Sequence, residues 1–91
     1  MSYMFEVYYK PPPDPQKEAA LAEHVSRLGG CLSYREDPDE KGRGGVCLTY
    51  EFDHLDQAEV IAALLRQQGE HVEGPVDYGP GVRSSLVVVA A

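Results

Sequence analysis

The sequence predicts a single α+β domain of β-α-β-β-α-β order, and three observations lead to that fold class. Two segments carry apolar residues at helical spacing, and each ends at a glycine. Four shorter segments, rich in β-branched and aromatic residues, flank them and are typical of strands. A length of 91 residues allows one modest core, so we expect one domain over residues 1–81 followed by an apolar tail, 82–91.

The first half of the chain predicts a strand, a helix and a second strand. Tyr3–Lys10 is aromatic or aliphatic at most positions, and three prolines then end it because proline cannot donate to a ladder. Asp14 is a suitable N-cap for a helix over Pro15–Leu28, which two glycines terminate. The second strand is expected at Cys31–Glu36.

The second half repeats this order after a polar loop rich in turn formers. Gly45–Phe52 has the clearest alternation of apolar and polar residues in the chain, which predicts a strand. Asp53 should cap a helix over His54–Gln68. The last predicted strand, His71–Tyr78, contains Pro75 and should therefore lie at a sheet edge or carry a bulge.

Two β-α-β units joined by a hairpin resemble the ferredoxin-like arrangement over about residues 3–79. Right-handed crossovers would place both helices on one face of a four-stranded antiparallel sheet, with strand order 4-1-3-2. The tail Ser84–Ala91 has high β propensity, and three placements stay open: a fifth strand, an interface strand against a partner, or a disordered terminus. A fold of this kind does not specify a function.

Strand alternation assigns each strand residue to one of two sheet faces. The helices should cover Phe5, Val7, Tyr9, Leu32, Tyr34, Val46, Leu48, Tyr50, Phe52, Val72 and Val76. The opposite face, called the open face below, should carry Met4, Glu6, Tyr8, Lys10, Cys31, Ser33, Arg35, Cys47, Thr49, Glu51, His71 and Glu73. This mixture of apolar and charged residues fits contact with a partner as well as contact with water.

Charge and composition exclude several classes of function. The net charge of −7 and the scattered basic residues disfavour nucleic acid and anionic membranes. Residues 43–50 partly resemble the third-strand motif of RNA-recognition domains, but Gly45 and Cys47 occupy the base-stacking positions. Because no signal-peptide pattern, spanning segment or disulfide framework is visible, we expect a soluble cytoplasmic protein.

Five residues are candidates for a site on the open face. His71 should pair near Tyr8, with Glu6 and Glu73 further along and Arg35 on the same face. Imidazole beside carboxylates suits acid–base chemistry or metal binding, yet the spacing matches no recognised ligand pattern and a solvated surface explains it equally well. We therefore expect no cofactor and no metal, and we name these residues as catalytic only if the protein is an enzyme.

The two cysteines, Cys31 and Cys47, fall on neighbouring predicted strands. They could face each other across the hairpin, which makes a cross-strand disulfide conceivable. Two reduced thiols on a sheet face are the simpler interpretation, because the expected compartment is reducing.

The mixed open face and the apolar tail lead to one functional expectation and one alternative. We expect a non-catalytic binding or interaction module that self-associates as a homodimer and has a small-molecule or protein ligand, since exposed apolar patches mark interfaces. The alternative is a small enzyme of the dimeric α+β barrel type with its site on the open face.

Overall fold

A four-stranded antiparallel sheet and two helices form the fold in the computed structural model, which describes residues 2–38 and 44–77. The elements are β1 (Tyr3–Tyr9), α1 (Pro15–Arg27), β2 (Cys31–Glu36), β3 (Val46–Phe52), α2 (Leu55–Gln67) and β4 (His71–Asp77). The strands lie in the order β2-β3-β1-β4, which is the predicted order read from the other edge. The α+β prediction is confirmed, while the tail 82–91 lies outside the described residues.

Helix α1 begins and ends almost where its sequence predicts. The side chain of Asp14 accepts a hydrogen bond from the backbone N–H of Lys17 at 3.1 Å, and Pro15 occupies the first turn, where no N–H is needed. Leu28 is the C-cap, so the helix stops one residue earlier than expected.

Helix α2 starts one residue later than its sequence predicts. Its N-cap is His54, whose carbonyl accepts the N–H of Ala58 at 3.2 Å and whose side chain makes no capping bond. The prediction that Asp53 caps this helix is therefore wrong. The shift arises because the extended backbone of the cap residue falls at His54, one position further along.

Both helices pack on the same face of the sheet. One cluster of buried side chains joins them to the strands: Phe5, Val7, Leu21, Val25, Val46, Leu48, Tyr50, Phe52, Ala58, Ile61, Ala62, Leu65 and Val72. At its centre the ring of Phe5 lies 5.5 Å from that of Phe52 and 5.7 Å from that of Tyr50. Aromatic contacts at these separations add to the burial of large apolar surface, which is the main source of stability here.

A bulge in β2 reverses the faces of the residues that follow it. The register with β3 skips one residue of β2 between Leu32 and Tyr34. Because side chains alternate, Tyr34 lies on the open face and Arg35, opposite Leu48, lies on the helix-covered face. The predicted faces of both residues are wrong, since nothing in the alternation of so short a strand reveals an extra residue.

A second irregularity lies between β1 and β4. The register shifts between Met4 and Glu6, where Gly74 and Pro75 occupy the edge strand, as proline at this position predicts. Gly74 has φ of 106°, and a Cβ there would approach the carbonyl oxygen of Met4 to 3.0 Å. Val76 pairs with Met4 and is 51% exposed on the open face. Its predicted place beneath the helices is wrong, because the bulge changes the alternation.

An arginine of α2 covers the outer edge of β4. Nη2 of Arg66 donates to the carbonyl oxygen of Val72 at 3.1 Å and to that of Gly74 at 2.6 Å. Carbonyls two residues apart point to the same side of a strand, and β1 occupies the inner side. The guanidinium therefore binds the outward-facing acceptors of this edge strand.

Candidate functional site

Four of the five candidate residues meet on the open face. His71 is directly opposite Tyr8, and Glu73 is opposite Glu6, in the β1–β4 ladder. The rings of Tyr8 and His71 are edge to face, with 5.7 Å between their centroids. Nε2 of His71 lies 3.0 Å from Oε2 of Glu73. Antiparallel pairing thus brings the four residues together, as the sequence predicts.

The phenol and the thiol in this cluster are held in their neutral forms. Cys47 is 7% exposed, and its Sγ lies 3.7 Å from Oε2 of Glu6. Burial raises the pKa of the Cys47 thiol, and the Glu6 carboxylate raises it further. Burial, followed by the contact with Cys47, raises the pKa of the Tyr8 phenol. Neither group is therefore a ready nucleophile or base near neutral pH.

The His71–Glu73 pair is open to solvent. Its two side chains are 64% and 60% exposed, so water screens the interaction between them. Such a pair can accept or release a proton, but nothing around it excludes water from a reacting group. The arrangement is that of a polar surface contact.

Arg35 stands apart from the other four candidates, on the helix-covered side of the sheet. Its Nε and Nη2 donate to the two oxygens of Glu18 at 2.6 and 2.9 Å, and its Nη1 binds Asp37. The hydroxyl of Tyr9 also donates to Glu18 and accepts the N–H of Asp14 at 2.9 Å. The Arg35 guanidinium lowers the pKa of the Glu18 carboxyl. This network ties β1, α1 and β2 together and leaves Arg35 no part in the open-face cluster.

The open face combines acidic groups with apolar surface. Its carboxylates are Glu6, Glu36, Glu51 and Glu73, and its larger apolar side chains are Met4, Tyr8, Tyr34 and Val76. Tyr34 is 61% exposed, and Ser2 donates a hydrogen bond to Glu51 at the far end of the face. Glu6 and Glu73 are cross-strand neighbours, so like charges stand opposite each other. This surface suits a ligand that brings cations and apolar groups together.

Several shallow grooves border the sheet, and two of them lie at its opposite ends. One, of about 350 Å³, lies at the end of the open face between Tyr8, Lys10, His71 and the pair Gly44 and Gly45. The other, of about 630 Å³, lies at the opposite end of the sheet, beside Asp53 and the first turn of α2. Both are open to solvent, which suits contact with an extended surface better than enclosure of a substrate. Within residues 2–38 and 44–77, no three His, Cys, Asp or Glu side chains gather as a metal site.

The cysteines do not face each other. Cys31 is opposite Glu51 and Cys47 is opposite Glu36, so their positions differ by four residues along β3. At about 3.3 Å per residue, that offset is roughly 13 Å, too far for a disulfide. Both thiols are free, Cys31 exposed and Cys47 buried. The conceivable cross-strand disulfide is therefore ruled out by the register.

Strand alternation failed to predict two apolar residues of the open face, Tyr34 and Val76, and the carboxylate of Glu36. Val76 follows Gly74 and Pro75, a pair that signals a bulge, so its change of face could have been foreseen. Tyr34 has no such signal, because the residue that bulges before it is a serine. Together these two side chains make the face more apolar than the alternation suggests.

Neither helix of the described ranges has the length and apolar character needed to cross a membrane. The sequence matches no protein-family model, and no curated protein is similar to it.

Proposed function

We propose that this protein is a non-catalytic binding module that acts as a homodimer and binds its ligand on the open face of the sheet. One observation carries the proposal: the open face sets four sizeable apolar side chains among four carboxylates. Tyr34 and Val76 are exposed while Met4 and Tyr8 are half-buried, and exposed apolar groups mark contact surfaces. A cytoplasmic location fits the two free thiols, because the cytosol keeps thiols reduced.

Charge decides what kind of ligand suits this face. Two copies packed face to face would place four carboxylates of one copy against four of the other. Like charges about 6 Å apart repel by roughly 3 kcal/mol at an effective dielectric constant near 20, so such a contact is disfavoured. A peptide or protein segment with Lys or Arg beside apolar side chains is complementary instead. The dimer contact then belongs elsewhere on the molecule.

The protonation states favour a module over an enzyme. The raised pKa values of Tyr8 and Cys47 keep both groups neutral at and above pH 7, and the imidazole–carboxylate pair is solvated. Arg35, the candidate cation, is bound to Glu18 on the other side of the sheet. These groups contribute polarity and shape to a surface without forming an activated nucleophile.

A small enzyme of the dimeric α+β barrel type is the second candidate, because the contact between His71 and Glu73 beside Tyr8 supplies a proton-accepting pair. Its test is the pH dependence of any activity found. A dependence of the rate on pH that is lost in His71→Ala would support the enzyme, and identical pH profiles for the parent and the variant would exclude it.

Light scattering on the full chain tests the homodimer. We expect twice the chain mass at micromolar concentration, falling towards the chain mass on dilution. A single chain mass at every concentration up to the millimolar range would refute the homodimer.

NMR titration tests the open face with a defined probe, a seven-residue peptide that alternates Lys with Leu. We expect amide shifts on the open-face residues of β1, β3 and β4, weakened by added salt. The double variant Glu6→Gln, Glu73→Gln should bind more weakly, whereas Glu59→Gln on the exposed surface of α2 should bind as the parent does. Shifts confined to the helices, or equal losses in both variants, would contradict the assignment.

A further inference from the structure

The two edges of the sheet differ in their ability to accept another strand. At β4, the guanidinium of Arg66 occupies the outward carbonyls of Val72 and Gly74. Pro75, the next residue, has no N–H to donate. An added strand needs these acceptors and donors, so the middle of the β4 edge is closed to strand pairing.

The β2 edge is open by comparison. In the part of the chain that the structure describes, no other strand and no side chain hydrogen-bonds its outer side. Leu32 and Tyr34 are 47% and 61% exposed, and the two charged residues of the strand, Arg35 and Glu36, lie at its far end. After the bulge between Leu32 and Tyr34, the residues from Tyr34 to Glu36 pair with β3 in regular register. This edge therefore offers free backbone groups beside apolar surface.

The chain itself contains a segment suited to this edge. Residues 84–89, Ser-Ser-Leu-Val-Val-Val, include a leucine and three consecutive valines of high β propensity and no charged residue. They follow β4 after a six-residue linker, 78–83, rich in glycine and proline. The neighbouring β4 edge would be the nearest place to pair, but Arg66 and Pro75 close it.

The reach of the linker 78–83 limits how residues 84–89 could pair with β2 of their own chain. Asp77 lies at the same end of the sheet as Cys31, and a strand added outside β2 would be four strand spacings away from it, or about 19 Å. A six-residue linker spans at most about 20 Å. Within one chain, the segment could reach only the Cys31 end and would then run parallel to β2. A partner's segment can approach from the Glu36 end and pair antiparallel, the geometry of the rest of this sheet.

We propose that residues 84–89 of a second copy add to the outer edge of β2 as an antiparallel strand, each copy giving its tail to the other. The exchange is a two-fold symmetric contact built on backbone hydrogen bonds, with Leu32 and Tyr34 beside the incoming valines. It rests on the proposed homodimer and assigns its contact surface. It also keeps the open face free for a ligand.

Disulfide trapping on the full chain tests the proposal, because Cys31 is exposed at one end of β2. Two variants place a second thiol at opposite ends of the segment: Val89→Cys and Ser84→Cys. Antiparallel pairing puts residue 89 near Cys31 and residue 84 far from it. Val60→Cys, on the exposed surface of α2, is the matched control for random collision. Oxidation is followed on non-reducing gels, and Cys31→Ser confirms which thiol reacts.

The expected result is a shift of Val89→Cys to a covalent dimer, with Ser84→Cys and Val60→Cys remaining at the chain mass. An internal disulfide in Ser84→Cys would show parallel pairing within one chain and overturn the proposal. A protein that is dimeric by light scattering but traps at neither position would overturn the strand exchange and leave the homodimer intact. A monomer by light scattering would refute both the strand exchange and the homodimer.

Discussion

Replacing Glu18 by glutamine should destabilise the fold by about 2 kcal/mol, because Glu18 is the centre of the network that joins three elements. The carboxylate accepts two hydrogen bonds from Arg35 and one from Tyr9. Hydrogen bonds to charged groups contribute roughly 1.5–3 kcal/mol each when a partner is removed, and partial exposure reduces that value. The Glu18 side chain is only 18% exposed, so water should weaken these hydrogen bonds little and most of their stabilisation should be lost in the variant. Glutamine keeps one acceptor oxygen but places an amide against the guanidinium.

Urea and thermal unfolding measure this loss. A change of about 2 kcal/mol corresponds to a fall in Tm of roughly 8–16 °C for a domain of this size. Glu23→Gln is the matched control, because the Glu23 carboxylate pairs with Arg27 and both side chains are more than 60% exposed. Its effect should stay within about 0.5 kcal/mol. Equal losses in the two variants would refute the role assigned to the network.

The pH dependence supplies an independent check. Because Arg35 lowers the folded-state pKa of Glu18 below its ordinary value of about 4.3, the stabilisation is fully present above roughly pH 5. It is lost as pH falls through the folded-state pKa. The difference between parent and Glu18→Gln should therefore shrink on acidification, and a difference that grew towards pH 3 would contradict the sign of the shift.

Three further predictions test the edge, the packing and the thiols. Arg66→Ala should increase hydrogen exchange of the β4 amides and reduce the free energy of unfolding by about 1–2 kcal/mol, whereas Arg27→Ala should change neither quantity. Unchanged exchange of the β4 amides in Arg66→Ala would show that the two hydrogen bonds from Arg66 do not stabilise this strand. Gly30→Ala should reduce the free energy of unfolding by about 1–3 kcal/mol, measured by urea unfolding, because its new methyl group would lie 2.5 Å from the ring of Phe52; an unchanged free energy would mean that the core can yield. In the folded protein, Ellman's reagent should modify Cys31 at once and Cys47 only after unfolding, because burial raises the pKa of the second thiol; two fast thiols would contradict this.

Local chemistry made the elements and the sheet order predictable. Proline, glycine and capping residues mark the ends of α1, and the regular alternation of Val46–Phe52 marks the central strand β3. The pairing of His71 with Tyr8 follows from the antiparallel order of β1 and β4 alone. These features depend on neighbours in the sequence or on topology, both of which a single sequence reveals.

Features set by one extra residue or by a distant side chain were not predictable. The faces of Tyr34 and Arg35 depend on a bulge at a serine, which has no distinctive preference for bulges. Likewise, Arg66 reaches the β4 carbonyls only because α2 lies over that strand. The predicted pairing of His71 with Tyr8 was thus confirmed, and the predicted sheet face of Arg35 was wrong because that face depends on the register.

The bulge in β2 also affects how relatives of this chain should be aligned. An insertion or deletion is normally placed in a loop, where it leaves side-chain directions unchanged. Here, loss of the single residue between Leu32 and Tyr34 would remove the bulge but leave Tyr34 opposite Thr49 and Arg35 opposite Leu48, so both side chains would keep their sheet faces. A homologue shorter by one residue at this point would therefore keep the bridge from Arg35 to Glu18. A homologue of equal length without the bulge would instead present Arg35 on the open face and turn Tyr34 towards the helices.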